Sequence, residues 1–309
     1  MNTLLNCGVQ RLALAAGVYL VFLAPIAAAE GIEVYFQAHR GGINEVPENT
    51  LAAMRHAWSI PGAVPEIDLR TTQDGVIVGM HDETPDRTVA TPDAWKGKRI
   101  REIPYAGVKQ WDAGASFSVQ FKGEPVPTLE AVLTVMKESP ERQIYLDLKD
   151  VDTNAVCAMM ERFGVISRVI FVHGDIPTCR ELQRKYPGVR TMTWFSGSPE
   201  KIMEDYNTLK TEGFAGVSQL QFHLRPAKKG RHIAYVLPWA FLKESVENTA
   251  RHGVALQVRP FIFDSASLQM LYSLGIHWYV TDEPRAFYAA LAEARLIFAP
   301  RDPATPTAN

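Results

Sequence analysis

From residue 34 onward, short apolar or β-branched runs alternate with amphipathic stretches of helical period, and this alternation constrains the fold more than any other feature. Candidate strands lie at 34–38, 64–69, 76–80, 143–148, 169–173, 190–194, 216–222, 254–258 and 278–281. Between them fall helix-like segments such as 50–58, 129–137, 153–163, 177–186, 200–212, 238–252 and 265–274. Strand–helix alternation at this spacing builds parallel βαβ units. Seven or eight such units in about 280 residues suit an α/β fold closed as a TIM-type (β/α)8 barrel. A doubly wound open sheet is the alternative, but no Gly-x-Gly-x-x-Gly follows the first strand.

Residues 84–127 break the rhythm: they are rich in Gly, Pro, Lys and Trp and show little helical period. They read as a small inserted region after the second strand that covers one face, not as a second globular domain. Residues 300–309 hold three prolines among small polar residues and read as a disordered tail.

The N-terminus has an address rather than a fold. Arg11 precedes an apolar run over 12–24 and then Pro25-Ile26-Ala27-Ala28-Ala29, the pattern of a secretory signal peptide. The run is shorter than the roughly 18 residues that cross a bilayer comfortably, which disfavours the alternative of an uncleaved anchor. The expectation is a mature chain starting near Glu30, secreted or periplasmic, with no stable membrane insertion after cleavage and a barrel over 30–299. The formal net charge is −2 for the whole chain, and losing Arg11 makes it more negative. No Lys/Arg run alternates with aromatics, so nucleic acid is excluded as a partner. Cys157 and Cys179 remain after cleavage; an exported chain can pair them, and two buried free thiols are the other reading. Oligomeric state has no signature here.

The sharpest local signal is Glu66-x-Asp68 within Val64-Pro65-Glu66-Ile67-Asp68-Leu69. Residues two apart on a strand share a face. Two carboxylates buried side by side cost several kcal/mol unless a cation joins them. Asp147-x-Lys149 repeats the geometry on a later strand. Three carboxylates without cysteine or clustered histidine suit one hard divalent cation, Mg²⁺ or Ca²⁺, with Glu66, Asp68 and Asp147 as ligands. A salt-bridge network centred on Lys149 is the bland alternative.

Two histidines add chemistry to the carboxylates. His39 ends the first candidate strand in Ala38-His39-Arg40-Gly41-Gly42, and His81 ends the third, followed by Asp82. Phosphodiester hydrolysis needs a base for the nucleophile, an acid for the leaving alkoxide and cations for the phosphoryl oxygens. Two imidazoles can share the proton transfers. A metal with Arg40 and Lys149 can meet the anionic oxygens. Strand C-termini are where barrel active sites are built.

The order His39-Arg40-Gly41, Pro47-Glu48-Asn49-Thr50, Glu66-x-Asp68, Thr72-x-Asp74-Gly75 and His81-Asp82 resembles the signature of glycerophosphodiester phosphodiesterases. The segments Trp111-Asp112-Ala113-Gly114, Phe121-Lys122-Gly123-Glu124-x-x-Pro127-Thr128-Leu129 and Thr281-Asp282-x-Pro284 are similar to that family as well. The resemblance implies a TIM-type barrel that hydrolyses glycerophosphodiesters to glycerol 3-phosphate and an alcohol. It implies His39 and His81 as the catalytic pair, Glu66 and Asp68 as metal ligands and Arg40 as a phosphate contact. It also implies attack by a neighbouring substrate hydroxyl, giving a cyclic phosphate that water opens. Asp147 stands where the family shows Glu, one methylene longer. Sphingomyelinase-type phospholipases D share the Asp-x-Lys but lack the Arg-Gly and Pro-Glu-Asn-Thr patterns.

Other expectations concern the substrate. Asn49 or Thr50 caps the first helix, and Asn49 also stands as a substrate-binding candidate. Gly75 reads as the turn glycine of a hairpin. His173, at a strand end, is a third histidine candidate for the pocket, while His56 and His252 read as surface residues and His223 and His232 stay open. Trp194 and Phe222 either wall the leaving group or cap the core. Gln257-Val258-Arg259-Pro260-Phe261 departs from the family's Trp-Thr-x-Asn. Arg259 there either recognises a second anionic group or forms a rim salt bridge with Asp282 or Glu283. The enzyme alternative is a phospholipase-D-like hydrolase of lysophospholipids, and the non-enzyme alternative is a barrel that only binds phosphodiesters.

Overall fold

The computed structural model describes residues 34–227 and 233–297; the segment 1–29 read above as a signal peptide, His232 and the segment 300–309 read as a tail lie outside the described residues. In chain order the elements are β1 Tyr35–Ala38, α1 Leu51–Trp58, β2 Ala63–Thr71, β3 Ile77–Gly79, α2 Tyr105–Val108, α3 Leu129–Met136, β4 Ile144–Asp150 and α4 Thr153–Phe163. They continue with β5 Val169–Val172, α5 Ile176–Lys185, β6 Arg190–Phe195, α6 Pro199–Thr211, β7 Gln219–Leu224, α7 Trp239–Arg251, β8 Ala255–Pro260, α8 Ser265–Ser273, β9 Trp278–Thr281 and α9 Pro284–Glu293.

The sheet order is β1-β9-β8-β7-β6-β5-β4-β2-β3, and β1 also pairs with β2. Eight parallel strands therefore close on themselves, with helices outside: a TIM-type barrel. The third predicted strand is not part of the wall. β3 runs antiparallel to β2, with Thr71 opposite Ile77, in a hairpin that turns at Gly75 (φ +85°).

Helix starts follow from local chemistry. Thr50, Thr128, Asp152, Asp175, Ser198 and Asp264 each accept a first-turn N–H with the side chain, and Pro177, Pro199 and Pro284 sit in the first turn of α5, α6 and α9. Apolar faces of the helices bury against the outer wall in two clusters. One is built around Phe36, Tyr206, Phe222 and Phe287, the other around Ile67, Leu146, Val156 and Phe171. Each such side chain contributes about 1.5–3 kcal/mol by leaving water. Inside the barrel, Val64, Tyr145, Ile170, Val172 and Met192 plug the lumen below the strand ends. Tyr145 Oη donates to Gln219 Oε1 at 2.9 Å.

Residues 84–127 hold 3-10 turns and the single turn α2, gathered on Val89, Ile100, Ile103, Val108 and Trp111 against Val78 and Met80 near β3. Cys157 and Cys179 are buried and unpaired, the second of the two readings left open by the sequence. Among the described residues no helix is long and apolar enough to cross a membrane.

Candidate active site

A cavity of about 350 Å³ opens at the C-terminal ends of the strands. Its wall includes His39, Arg40, Glu66, Asp68, His81, Asp147, Lys149, Trp194 and Arg259, together with Gln37, Gln221 and His223.

β1 ends at Ala38, and a 3-10 turn over His39–Gly41 carries the first imidazole into the mouth. Arg40 takes φ +51°, which aims its backbone N–H at Glu66 Oε2, 2.7 Å away. Gly41 has φ +83°, and a Cβ there would lie 2.5 Å from Ala53 Cβ, so the turn needs glycine.

β2 and β4 are in register with Asp68 beside Asp147, which puts Glu66, Asp68 and Asp147 on one inward face. Their ligand atoms lie within 4.8 Å of one another, all three residues buried. Asn49 holds Asp68 from behind: its Nδ2 donates to Asp68 Oδ2 and its Oδ1 accepts from the Asp68 N–H, both at 2.9 Å. Arg40 Nε lies 3.3 Å from Asp68. Lys149 Nζ is 2.6 Å from Asp147 and 3.4 Å from Asp68.

Charge in this cluster is unevenly compensated. Burial pushes the Glu66 carboxyl well above its ordinary range, and the Asp68 and Asp147 charges push the same way. Burial also lifts Asp147, to about 6, against the pull of Lys149. Asp68 resists: burial opposes its ionisation, but Lys149 and Arg40 outweigh burial and keep it low. Glu66 Oε1 has no hydrogen-bond partner although the residue is 1% exposed. An orphaned carboxylate oxygen beside two more carboxylates fits a hard divalent cation, so Glu66, Asp68 and Asp147 suit a metal as a donor set.

Both catalytic candidates are anchored alike. His39 Nδ1 lies 2.7 Å from Asp282 Oδ1, and His81 Nδ1 lies 2.7 Å from Asp82 Oδ1. With Nδ1–H donated to a carboxylate, Nε2 of each neutral ring is the nitrogen available for proton transfer. Burial drives the His39 imidazole below its ordinary value; the Asp282 hydrogen bond opposes this, and Arg259 and Arg40 reinforce it.

Several expectations change in detail. Arg259 makes the rim salt bridge, with Nη2 at 2.7 and 3.0 Å from the two Asp282 oxygens, and it also lies 3.1 Å from His39 Nδ1. Asn49 is buried beneath Asp68 and is absent from the cavity wall, so it supports the carboxylate instead of touching substrate; Thr50 is the cap of α1. His173 is not in the wall either, because its Nδ1 accepts the Asp175 N–H and turns the ring back into its own loop. Phe222 faces outward, fully buried and stacked on Phe195 and Phe241, because alternation along β7 gives the inward face to its neighbours Gln221 and His223. His56 is largely buried against Glu45, 2.7 Å away, not on the surface. Trp194 does line the cavity, with Lys149 Nζ 5.6 Å from its ring centroid.

Barrel and site together define a hydrolase of phosphoric diesters. The model of the glycerophosphoryl diester phosphodiesterase family matches residues 39–286, and the chain belongs to that family. It is 40% identical over 256 residues to the glycerophosphodiester phosphodiesterase of Caldanaerobacter subterraneus subsp. tengcongensis, covering 80% of this chain and 93% of that protein. Among solved structures, the glycerophosphodiester phosphodiesterase of Agrobacterium tumefaciens superposes with a TM-score of 0.63 at 24% identity, covering 83% of this chain and 99% of that one. A phosphodiesterase of Oleispira antarctica, in complex with the product sn-glycerol-3-phosphate, gives 0.61 at 21% identity over 84% and 96%.

Proposed function

We propose that this glycerophosphodiester phosphodiesterase releases glycerol 3-phosphate and an alcohol by two-histidine acid–base catalysis, with Mg²⁺ or Ca²⁺ held by Glu66, Asp68 and Asp147. One observation carries the reading: two imidazoles, each tied through Nδ1 to a carboxylate, line the same cavity as the buried carboxylate triad. The glycerol 3-phosphate bound to the Oleispira antarctica phosphodiesterase supports the product assignment.

His39, kept neutral by burial and by Arg259, is the base. It takes the proton of the glycerol hydroxyl next to the ester; that oxygen bonds to phosphorus, and the bond to the leaving alcohol breaks. His81 gives its proton to the departing alkoxide. Water then opens the cyclic phosphate with the roles reversed: His81 takes a proton from water, and His39 returns one to the glycerol hydroxyl. Arg40 and Lys149 face the phosphoryl oxygens, where their charges lower the cost of the developing negative charge. The divalent ion, when bound, supplies Lewis-acid charge to phosphate and hydroxyl.

A phospholipase-D-like action on lysophospholipids is favoured by one feature. Phe261 and Ile262 are exposed just past the end of β8, and the Phe261 ring lies 5.4 Å from that of His223 in the cavity wall. A panel of glycerophosphodiesters and lysophospholipids, assayed for released alcohol with each metal, separates the readings; full activity after exhaustive chelation and metal analysis would remove the metal. We also propose export, with cleavage before Glu30. The N-terminal sequence of the extracytoplasmic protein tests it, and a start at Met1 would refute it.

A further inference from the structure

A second cavity of about 270 Å³ lies beside the first, lined by Arg70, Glu83, Arg99, Arg101, Lys149 and Asp150. Lys149 belongs to both walls, so the two spaces meet at its side chain. Arg70 comes from β2, Lys149 and Asp150 from β4, and Glu83, Arg99 and Arg101 from the loop region after β3.

The charges here do not cancel. Lys149 is engaged by Asp147 and Asp68. Arg101 pairs with Asp150, and Arg99 lies 3.3 Å from Glu83 with both side chains more than half exposed. Exposed pairs of this kind are worth about 0–1 kcal/mol and exchange readily for a better-fitting anion. Arg70 makes no salt bridge among the described residues; its Nε and Nη2 donate to the His81 carbonyl at 3.0 and 2.7 Å. Three guanidiniums thus face two carboxylates, and the surplus is a half-buried arginine fixed one bond pair from the residue that serves as acid. A fixed guanidinium fork matches phosphate oxygens in pairs.

We propose that this cavity is a subsite for a second phosphate group, and that the preferred substrate is a glycerophosphodiester whose leaving alcohol carries one. The inference rests on the reaction proposed above. The glycerol half of such a diester has only hydroxyls beyond the scissile phosphate, so a further phosphate must ride on the alcohol. Arg70, Arg99 and Arg101 receive it, while Lys149 stands between the two phosphates.

The test compares glycerophosphoglycerol with the same diester bearing a terminal phosphate, following diester loss by phosphorus NMR on the metal-loaded enzyme. The wild type should show a KM about tenfold lower for the phosphate-bearing diester at low salt, with the advantage shrinking as salt rises. The double substitution Arg99→Gln/Arg101→Gln should erase most of that advantage and leave kcat and KM for glycerophosphoglycerol unchanged; Arg70→Lys, which keeps charge but loses the fork, should fall between. Hydrolysis of glycerophosphoglycerol with no preference for the phosphate-bearing diester overturns the subsite and leaves the reaction standing. Failure on both diesters overturns both. Inorganic phosphate forms the control arm: competitive inhibition lost in the double variant, without any substrate preference in the wild type, would make this a site for free phosphate and overturn the substrate assignment.

Discussion

Replacing Arg259 by Gln tests whether the cation beside His39 sets its protonation. The guanidinium nitrogen lies 3.1 Å from His39 Nδ1, and the Arg259 side chain is 14% exposed. At an effective dielectric of about 20, unit charges at that separation repel by about 5 kcal/mol. The guanidinium charge is spread over three nitrogens and water reaches the rim, so only a fraction of this, about 1–3 kcal/mol, acts on the imidazolium. The sign is fixed: removing a neighbouring cation stabilises the imidazolium and raises the His39 pKa. Asp282 acts in the same direction, because losing its arginine leaves its charge to His39 alone. A base must be unprotonated, so the acid limb of the kcat/KM profile should move to higher pH. At a fixed pH on that limb kcat/KM should fall by roughly ten- to a hundredfold, with the alkaline limb, set by the acid, little changed. Histidine-labelled NMR titration should show the same displacement in one ring. An acid limb that stays put, or moves down, would refute the base assignment or the coupling to Arg259.

Three further outcomes follow from the geometry. His81→Ala and His39→Ala should each lower kcat by about 10²–10⁴ with the fold retained by circular dichroism; near-wild-type turnover in either would break the two-histidine scheme. Asp147→Asn should weaken metal binding, read by isothermal titration, more than Asp147→Glu does, because a hard ion responds to charge and one methylene can be absorbed; unchanged affinity would remove Asp147 from the ligand set. Asn49→Ala should destabilise the fold by about 2–4 kcal/mol in denaturant melts, since it strips two hydrogen bonds from buried Asp68 and puts alanine at φ +58°; a loss under about 0.5 kcal/mol would deny it that support.

Two members of the triad could be read from the sequence because their spacing is local: strand alternation alone puts Glu66 and Asp68 on one face, whereas Asp147 joins them only through the pairing of β2 with β4. Asp282 could not be read as the partner of His39. The two residues meet only because β9 pairs with β1 and closes the barrel, a contact across 243 residues. His223 was hidden by register, for a strand ending at 222 leaves it outside and one ending at Leu224 turns it in. His173 shows the converse. It has the signature of a site histidine, a ring at a strand end, and a turn N–H two residues on claims it first. Residues 84–127 lacked period because turns and side-chain contacts, not helices, hold them.

The two imidazole–carboxylate pairs have the same inner geometry and different outer supports, which bears on why the inserted segment matters to the chemistry. Asp282 is held by Arg259 from β8, so the His39 pair depends on barrel closure. Asp82 is held by Arg87, whose hydrogen bond draws it down to about 2. Arg87 also binds Glu48 through two nitrogens at 2.8 Å, and Glu48 takes Arg40 at 3.0 Å. Arg40 reaches Asp68 in turn. A chain of alternating charge thus runs from His81 through the inserted segment to the loop after β1 and into the carboxylate triad. Each member has partners of opposite sign on both sides, so the side chains are fixed before substrate arrives and little reorganisation is left for the reaction. Arg259 touches its imidazole directly, whereas Arg87 meets the other pair only through Asp82, and the mechanism proposed above assigns the accepting role to the ring with the cation at its edge.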